Sequence, residues 1–464
     1  MILFLTALFA VQSSFSAEPS KYPAPVLDQL PNGMKVAWFS DARLPTVEMS
    51  FLFPFGNRDD EVGKSGQSEM IAALLDRGSA GKTAREVRNE IENLGASRQM
   101  TAAEDTFSVG VYGFSKDADA LLQIMSEILL QPSFSTDELE FEKARLIDRW
   151  QRVGDSADAL AGIVAHRILT HGTSYGRGSL QKIAELKKIQ REDLVRFHKR
   201  FFIPDTCVLA IVGRFDREEL RKKIVARFSE WKPAGDTAKI KSRPVFSDPR
   251  WAGISPQDLI LIDRPGVPQA EIRIVQVGPG PKNPDRYPLM VGNALLGEYF
   301  HSRLNSLIRD QLGLTYGIGS QISYNLEQGR FRIASATGNK KVGTLIHKTL
   351  NVVEEVVSGQ ITDEEVKTAK QYLMGSFPLG MSTLASVANR WVAGHFGQMG
   401  PDYLNEFLPK ISAVTKDEVV KALQKEIRPK RFFIVVAGDA KVLRPALEEE
   451  GFKKIKLVKP QDLM

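Results

Sequence analysis

The sequence predicts an α+β protein of two homologous domains, each a mainly antiparallel sheet with helices packed on one face. Three observations lead there. The chain has 464 residues, 43% apolar and 25% charged, which is too long for one hydrophobic core and ordinary for folded globular protein. It repeats itself at a near-constant offset. Strand-like runs come in clusters with helix-length runs gathered beside them, which points to layered α+β units rather than a doubly wound parallel sheet.

The repeat is visible in two unlike elements. Pro204, a short polar step, the apolar run Val208 to Val212 and Gly213 recur as Pro429, a basic step, Phe432 to Ala437 and Gly438, 225 residues after the first proline. Thr136-Asp137-Glu138 opens a helix, with Thr136 as its expected N-cap and acids in the first turn; Thr362-Asp363-Glu364 does the same 226 residues on. Two element types repeating at nearly one spacing indicate duplication. Pro233, Gly235, Pro244, Pro249 and Pro256 punctuate the stretch between the copies, where neither a helix nor a central strand can run. The expected division is an N-terminal domain over 18–245, a linker over 246–256 and a C-terminal domain over 257–464.

Taken in chain order, the elements begin with an apolar run from Ile2 to Val11, of signal-peptide length, followed by Ser14 and Ser16 before Ala17. A signal peptide over 1–17 and a periplasmic or otherwise exported protein are expected, with no stable membrane insertion after cleavage because no later run reaches spanning length. Asn32-Gly33 marks a turn ahead of strands at 35–39 and 47–53; helices are expected at 67–75, 84–94 and 118–130. The last carries an apolar stripe of Leu121, Leu122, Met125, Ile128 and Leu129, the pattern of a core-facing helix. The second half repeats the order with a strand at 270–277 and helices at 287–296, 301–312 and 343–357. Cys207 is the only cysteine, so no internal disulfide forms, and its apolar run makes it a buried thiol. The net charge of +6 is dispersed without a basic block, which argues against nucleic acid. The six histidines include no pair at metal-ligand spacing on one helix.

One stretch raises a question of chemistry. Gly66, a helix-length run, then Leu74-Leu75-Asp76-Arg77-Gly78-Ser79 resembles the frame of the pitrilysin/insulinase-type zinc peptidases, the family that includes the mitochondrial processing peptidase. Gln131-Pro132-Ser133-Phe134 and Ser174-Tyr175-Gly176 are similar punctuation, and the resemblance extends over nearly the whole mature chain. Members of that family carry H-x-x-E-H on this helix. Two imidazoles four residues apart then share a Zn²⁺, and the glutamate activates its bound water. Here the five positions are Glu69, Met70, Ile71, Ala72 and Ala73. The first ligand position holds a carboxylate, the base and second ligand positions hold methyl groups, and Glu142 falls near the place of the third ligand on a downstream helix. Those groups are too few for catalytic zinc. No metal site and no catalytic residue is therefore expected in this chain, and an independently active zinc peptidase is disfavoured.

The second half holds a segment similar to the family's C-terminal Arg/Tyr motif, running from His301 to Tyr316. The resemblance places Arg309 and Tyr316 as substrate-binding residues, a guanidinium for a peptide carbonyl and a phenol for a developing oxyanion. It implies a non-catalytic subunit of a heterodimeric zinc metallopeptidase, with zinc held by a homologous partner that bears the motif, acting on a peptide substrate. The alternative is a peptide-binding or structural scaffold protein with no proteolytic role.

Overall fold

The computed structural model describes residues 22–177, 182–233, 243, 245, 251 and 253–463. The expected signal segment and most of the expected linker lie outside these residues.

Each half is built around one six-stranded sheet. The first half contributes β1 (Val26–Gln29), β2 (Lys35–Ser40), β3 (Thr46–Phe53), a two-residue ribbon of β4 (Gly78–Ser79) and β5 (Lys82–Thr83), then β6 (Ser97–Ala102), β7 (Phe107–Phe114) and β8 (Val208–Gly213). Its sheet runs β1-β2-β8-β3-β7-β6, antiparallel except for β2 against β8. The second half contributes β9 (Leu259–Asp263), β10 (Gln269–Gly278), β11 (Ile318–Tyr324), β12 (Gly329–Gly338), β13 (Phe433–Gly438) and β14 (Ile455–Val458), ordered β11-β12-β10-β13-β9-β14. Read from opposite edges, β6-β7-β3-β8-β2 and β11-β12-β10-β13-β9 are the same arrangement. The outermost strand differs, β1 being antiparallel to its neighbour and β14 parallel.

The repeated proline motif has a physical role in this plan. Pro204–Thr206 and Pro429–Arg431 each form one 3₁₀ turn, with Cys207 and Phe432 donating back to the proline carbonyl at 3.0 and 3.1 Å. Proline fixes φ for the turn and needs no donor there, so the chain is delivered in one direction into the central strand β8 or β13.

Helices α1 (Gln67–Leu74), α2 (Ala84–Asn93), α3 (Ala118–Leu130) and α4 (Thr136–Val153) cover one face of the first sheet and its edge. Met49, Phe51 and Phe53 of β3 bury there with Met70, Leu74, Leu122 and Met125. The N-cap of α4 is Ser135, not Thr136: its hydroxyl accepts from Glu138 N, and Thr136 is the first helical residue. In the other half Thr362 does cap its helix, with Glu365 closing a reciprocal capping box. Cys207 is fully buried, and burial pushes its thiol well up.

What covers the second face of each sheet comes from the other half. Helix α5 (Ala157–Thr170) leaves the first domain and lays Leu160, Ala161, Val164 and Ile168 on Ile260, Ile262, Val435 and Ala437. The helices that follow are α6 (Lys182–Leu186), α7 (Arg191–Phe201), α8 (Arg217–Arg227), α9 (Arg286–Asn293), α10 (Val342–Ser358), α11 (Asp363–Leu379) and α12 (Leu384–Phe396). Helix α12 returns the exchange, setting Val387, Ala388 and Trp391 against Ala37, Phe39 and Ala210, with the Phe39 and Trp391 rings 6.2 Å apart and edge to face. That is why β8 reads as an unbroken apolar run: Leu209 and Ile211 face their own domain's helices, and Val208, Ala210 and Val212 face α12. A polar seam joins the halves beside these contacts. Arg58, almost wholly buried, pairs with Asp105 at 2.8 Å and Glu327 at 3.0 Å, and Arg243 ties Asp59 to Glu327 at 2.8 and 2.9 Å. No helix among the described residues is long and apolar enough to cross a membrane.

Two outcomes follow from this packing. Because the cores interlock, the halves should melt in one calorimetric transition, and Trp391→Ala should lower stability by about 3–5 kcal/mol without separating that transition into two. The second concerns His198, whose ring nitrogen donates to the Leu129 carbonyl at 2.8 Å while the ring stacks on Phe202. Burial pushes its pKa from 6.5 down to about 4, so it is neutral in the fold and protonates more readily when unfolded. Its contribution is present above pH 6.5 and is lost as the pH falls toward 4. The stability gap between the native chain and His198→Gln should shift by about 2–3 kcal/mol between pH 7.5 and 4.5 in denaturant titrations.

Candidate functional site

The motif helix α1 is set in place at its N-terminus by backbone geometry and one carboxylate. Gly66 takes φ +94°, and a Cβ there would meet Leu186 at 2.7 Å, so the helix entry requires glycine. The Asp60 carboxylate accepts from Gly66 N at 2.7 Å and Ser68 N at 2.9 Å, satisfying donors that a helix start leaves orphaned. Gln67 donates to the Asp193 carbonyl at 2.8 Å. Met70, Ile71 and Leu74 face the core, which turns Glu69, Ala72 and Ala73 toward the neighbouring helix α4 and the surface.

Helix α4 answers with Glu142, Arg145 and Arg149, three and seven residues apart and therefore on one stripe. The residue that meets Glu69 is Arg149, at 3.1 Å. Glu142 lies two turns earlier on α4 and is fully buried, paired with Arg77 at 2.8 Å and Arg145 at 2.6 Å. The carboxylate near the family's third-ligand position is thus committed to two guanidiniums. The site is a cluster of two carboxylates and three guanidiniums, with two alanine methyls where a base and a second ligand would be. A cation already neutralises Glu69, and a guanidinium cannot be deprotonated in a protein to make way for a metal. These residues do not fit zinc. The motif frame is legible in the sequence, and so is the 142/145/149 spacing. The ion pairing is not, because it depends on how α4 crosses α1.

Among the described residues, the partners of the Arg/Tyr segment lie in the second half. Arg309 sits in a π-helical stretch, Asn305–Gln311, inside the expected helix 301–312. Its guanidinium binds Asp310 with two hydrogen bonds at 2.7 and 3.1 Å, donates to the Phe300 carbonyl at 3.3 Å, and lies 3.4 Å over the Phe300 ring. Tyr316 is 95% exposed, yet its loop is pinned on both sides. Thr315 Oγ1 donates to the Ala336 carbonyl at 2.7 Å, Ser335 Oγ donates to the Gly317 carbonyl at 3.0 Å, and Thr337 donates to the Leu314 carbonyl. Tyr316 overhangs a surface cavity of about 680 Å³ with Leu314, Gly338, Lys340 and Lys341 on its walls. The phenol of Tyr316 therefore faces solvent from an anchored loop.

The duplicated sheet-and-helix halves and the helix framed by Gly66 and Gly78 define a two-domain peptidase-type protein. Residues 35–179 match the family description "Insulinase (Peptidase family M16)" and residues 188–373 match "Peptidase M16 inactive domain". The chain belongs to peptidase family M16. It is 22% identical over 439 residues to the beta subunit of the mitochondrial-processing peptidase of Lentinula edodes, covering 92% of each chain. It is 22% identical over 434 residues to an uncharacterised zinc protease of Mycobacterium tuberculosis, covering 91% of this chain and 95% of the relative. Among solved structures it resembles a peptidase M16 inactive domain from Pseudomonas fluorescens, with TM-score 0.79, 24% identity and coverage of 89% and 98%. It also resembles a chain of complex III2 from Candida albicans, with TM-score 0.72, 17% identity and coverage of 92% and 99%.

Grafting tests the charge cluster. With Glu69→His, Ala72→Glu and Ala73→His together, dialysed protein should still carry no stoichiometric zinc, because Arg149 faces the new imidazoles. Adding Arg149→Glu should bring metal content to about one zinc per chain. Equal zinc in both variants would show that Arg149 is no obstacle.

Proposed function

We propose that this chain is the non-catalytic subunit of a heterodimeric zinc metallopeptidase in the periplasm or another exported compartment. In this reading a homologous subunit bearing the zinc motif supplies the metal and the general base, and this chain supplies Arg309 and Tyr316 to that site. The observation that carries it is the contrast between the two ends of the chain: a motif helix closed by arginine pairing, and a solvent-facing Tyr316 on an anchored loop.

The chemistry assigned to each residue follows from its setting. Tyr316 donates its phenolic hydrogen to the oxygen of a peptide carbonyl as negative charge develops there. Arg309 is held in one orientation by Asp310 and Phe300, so it meets a peptide carbonyl without first paying for side-chain order. The family's mitochondrial relatives are named as subunits, which supports a partnered role for this chain. The scaffold reading is favoured by the likeness to a complex III2 chain, a likeness of fold.

Mixing the chain with a motif-bearing homologue from the same source should give peptide hydrolysis that neither shows alone. Tyr316→Phe should lower the joint kcat by about 10–100-fold, and Arg309→Ala should mainly raise KM. Joint activity untouched by both variants would overturn the roles given to them. Co-purification with a membrane complex and no motif-bearing homologue would favour the scaffold.

A further inference from the structure

The cavity of about 680 Å³ beside Tyr316 has a charge pattern that the roles of Arg309 and Tyr316 leave unused. Its form follows from how the tyrosine loop is tied down. Thr315 donates to the Ala336 carbonyl and Thr337 to the Leu314 carbonyl, so the loop runs beside the last residues of β12. Past Gly338 the chain makes one 3₁₀ turn, Asn339–Lys341, and enters α10. Asn339 holds that turn in place by donating from Nδ2 to the Val267 carbonyl at 2.7 Å. Tyr316, Lys340 and Lys341 thereby line one cavity, with apolar wall from Leu314, Pro268 and Val442. A Cβ at Gly313 or Gly338 would meet no atom within 4 Å, so neither position closes it.

The wall carries two ammonium groups and, among the described residues, no aspartate or glutamate. Other cavities of the molecule mix their charges. The one of about 450 Å³ lined by Asn293, Glu298 and Tyr324 carries a carboxylate, and the one of about 540 Å³ beside α5 sets Glu104 and Asp158 among its arginines. Several lysines of the second half are paired, Lys367 with Glu364, Lys410 with Glu406 and Lys425 with Asp285. Lys340 and Lys341 are exposed, with no carboxylate among the described residues within ion-pair distance of either.

Two like charges side by side with no counter-charge favour an anion and repel a cation. The apolar wall accepts the hydrocarbon part of an organic acid. Distance along the chain relates this pair to Tyr316. From Ala336, which anchors the tyrosine loop, Lys340 is two strand residues and two residues of 3₁₀ turn away, at most about 10 Å. An extended peptide covers that in about three residues. A peptide whose carbonyl meets the phenol therefore reaches the lysines with a nearby side chain or with its end.

We propose that Lys340 and Lys341 form a subsite for a carboxylate of the bound peptide, an acidic side chain or the C-terminus close to the carbonyl held at Tyr316. The subsite rests on the peptide-binding part of the reading above and gives it a substrate class, peptides that are acidic near the bond to be cut.

The test uses the isolated full chain and three peptides of one sequence, labelled at the amino terminus: one with glutamine and a C-terminal amide, one with glutamate in its place and the amide, and one with glutamine and a free C-terminal carboxylate. Fluorescence anisotropy should show a carboxylate-bearing peptide binding about 5–10-fold more tightly than the neutral one at low salt. The gap should close as salt rises from about 0.05 to about 0.5 M. A gain with glutamate assigns the subsite to side chains, and a gain with the free carboxylate assigns it to the peptide's end. Lys340→Gln with Lys341→Gln should remove the preference. Lys340→Glu with Lys341→Glu should transfer it to a peptide with lysine at the varied position, a reversal that a fold defect cannot produce. Equal binding of all three peptides to the native chain, or a preference that survives Lys340→Gln with Lys341→Gln, overturns the subsite alone. Failure of every peptide to bind overturns the peptide-binding reading with it. Hydrolysis is not measured, so the joint-activity test of Arg309 and Tyr316 is decided separately.

Discussion

A sheet has two faces, and each half of this chain has helices enough in place for one. The exchange of α5 and α12 solves that constraint. Each domain lends one helix to the bare face of the other, so neither sheet is covered on both faces without the opposite half of the chain. The lent residues are small and branched (Ala161, Val164, Val387, Ala388), which lets each helix settle closely on strands that are themselves built from Val, Ile and Ala. The polar seam of Arg58, Asp105, Glu327 and Arg243 adds orientation to that apolar contact. An almost wholly buried guanidinium must find acceptors, and here they come from both halves.

The fixed relation of the halves gives meaning to the two local sites. On α1 the ligand frame survives as a scaffold, and the helix beside it supplies cations where a metal site needs anions. Arg149 neutralises Glu69, and Arg77 and Arg145 neutralise the buried Glu142, so each carboxylate has its own organic cation. In the second half the relation is reversed. Asn293 Oδ1 has no hydrogen-bond partner among the described residues, and Tyr316 has surface that none of them covers. The first site is electrostatically closed and the second is open.

Legibility in the sequence followed the range of the interaction. Strands at 35–39, 47–53 and 270–277, the stripe of α3 and the duplicated proline turns were readable because they depend on neighbours in the chain. The cap at Ser135 was misplaced by one residue, since Ser135 and Thr136 are both competent caps and only the course of the backbone chooses between them. The expected helix 301–312 was located, but its π-helical character was not, because nothing in residue spacing announces one extra residue per turn. Arg149 was overlooked for a different reason: an arginine on an amphipathic helix has the same pattern whether it faces water or Glu69.

By itself the sequence determined the duplicated α+β plan, the family frame around Gly66 and Gly78, and the loss of the base and second-ligand side chains at Ala72 and Ala73. These are properties of residue identity and local periodicity, and they hold whatever the distant packing. Only the tertiary structure decided that α5 and α12 change sides, that Arg149 meets Glu69, and that Asn293, Glu298 and Tyr324 line one cavity. Each of those joins groups far apart in the chain or across a helix turn of unusual pitch. Their meeting depends on crossing angle and depth, which no single stretch of sequence encodes.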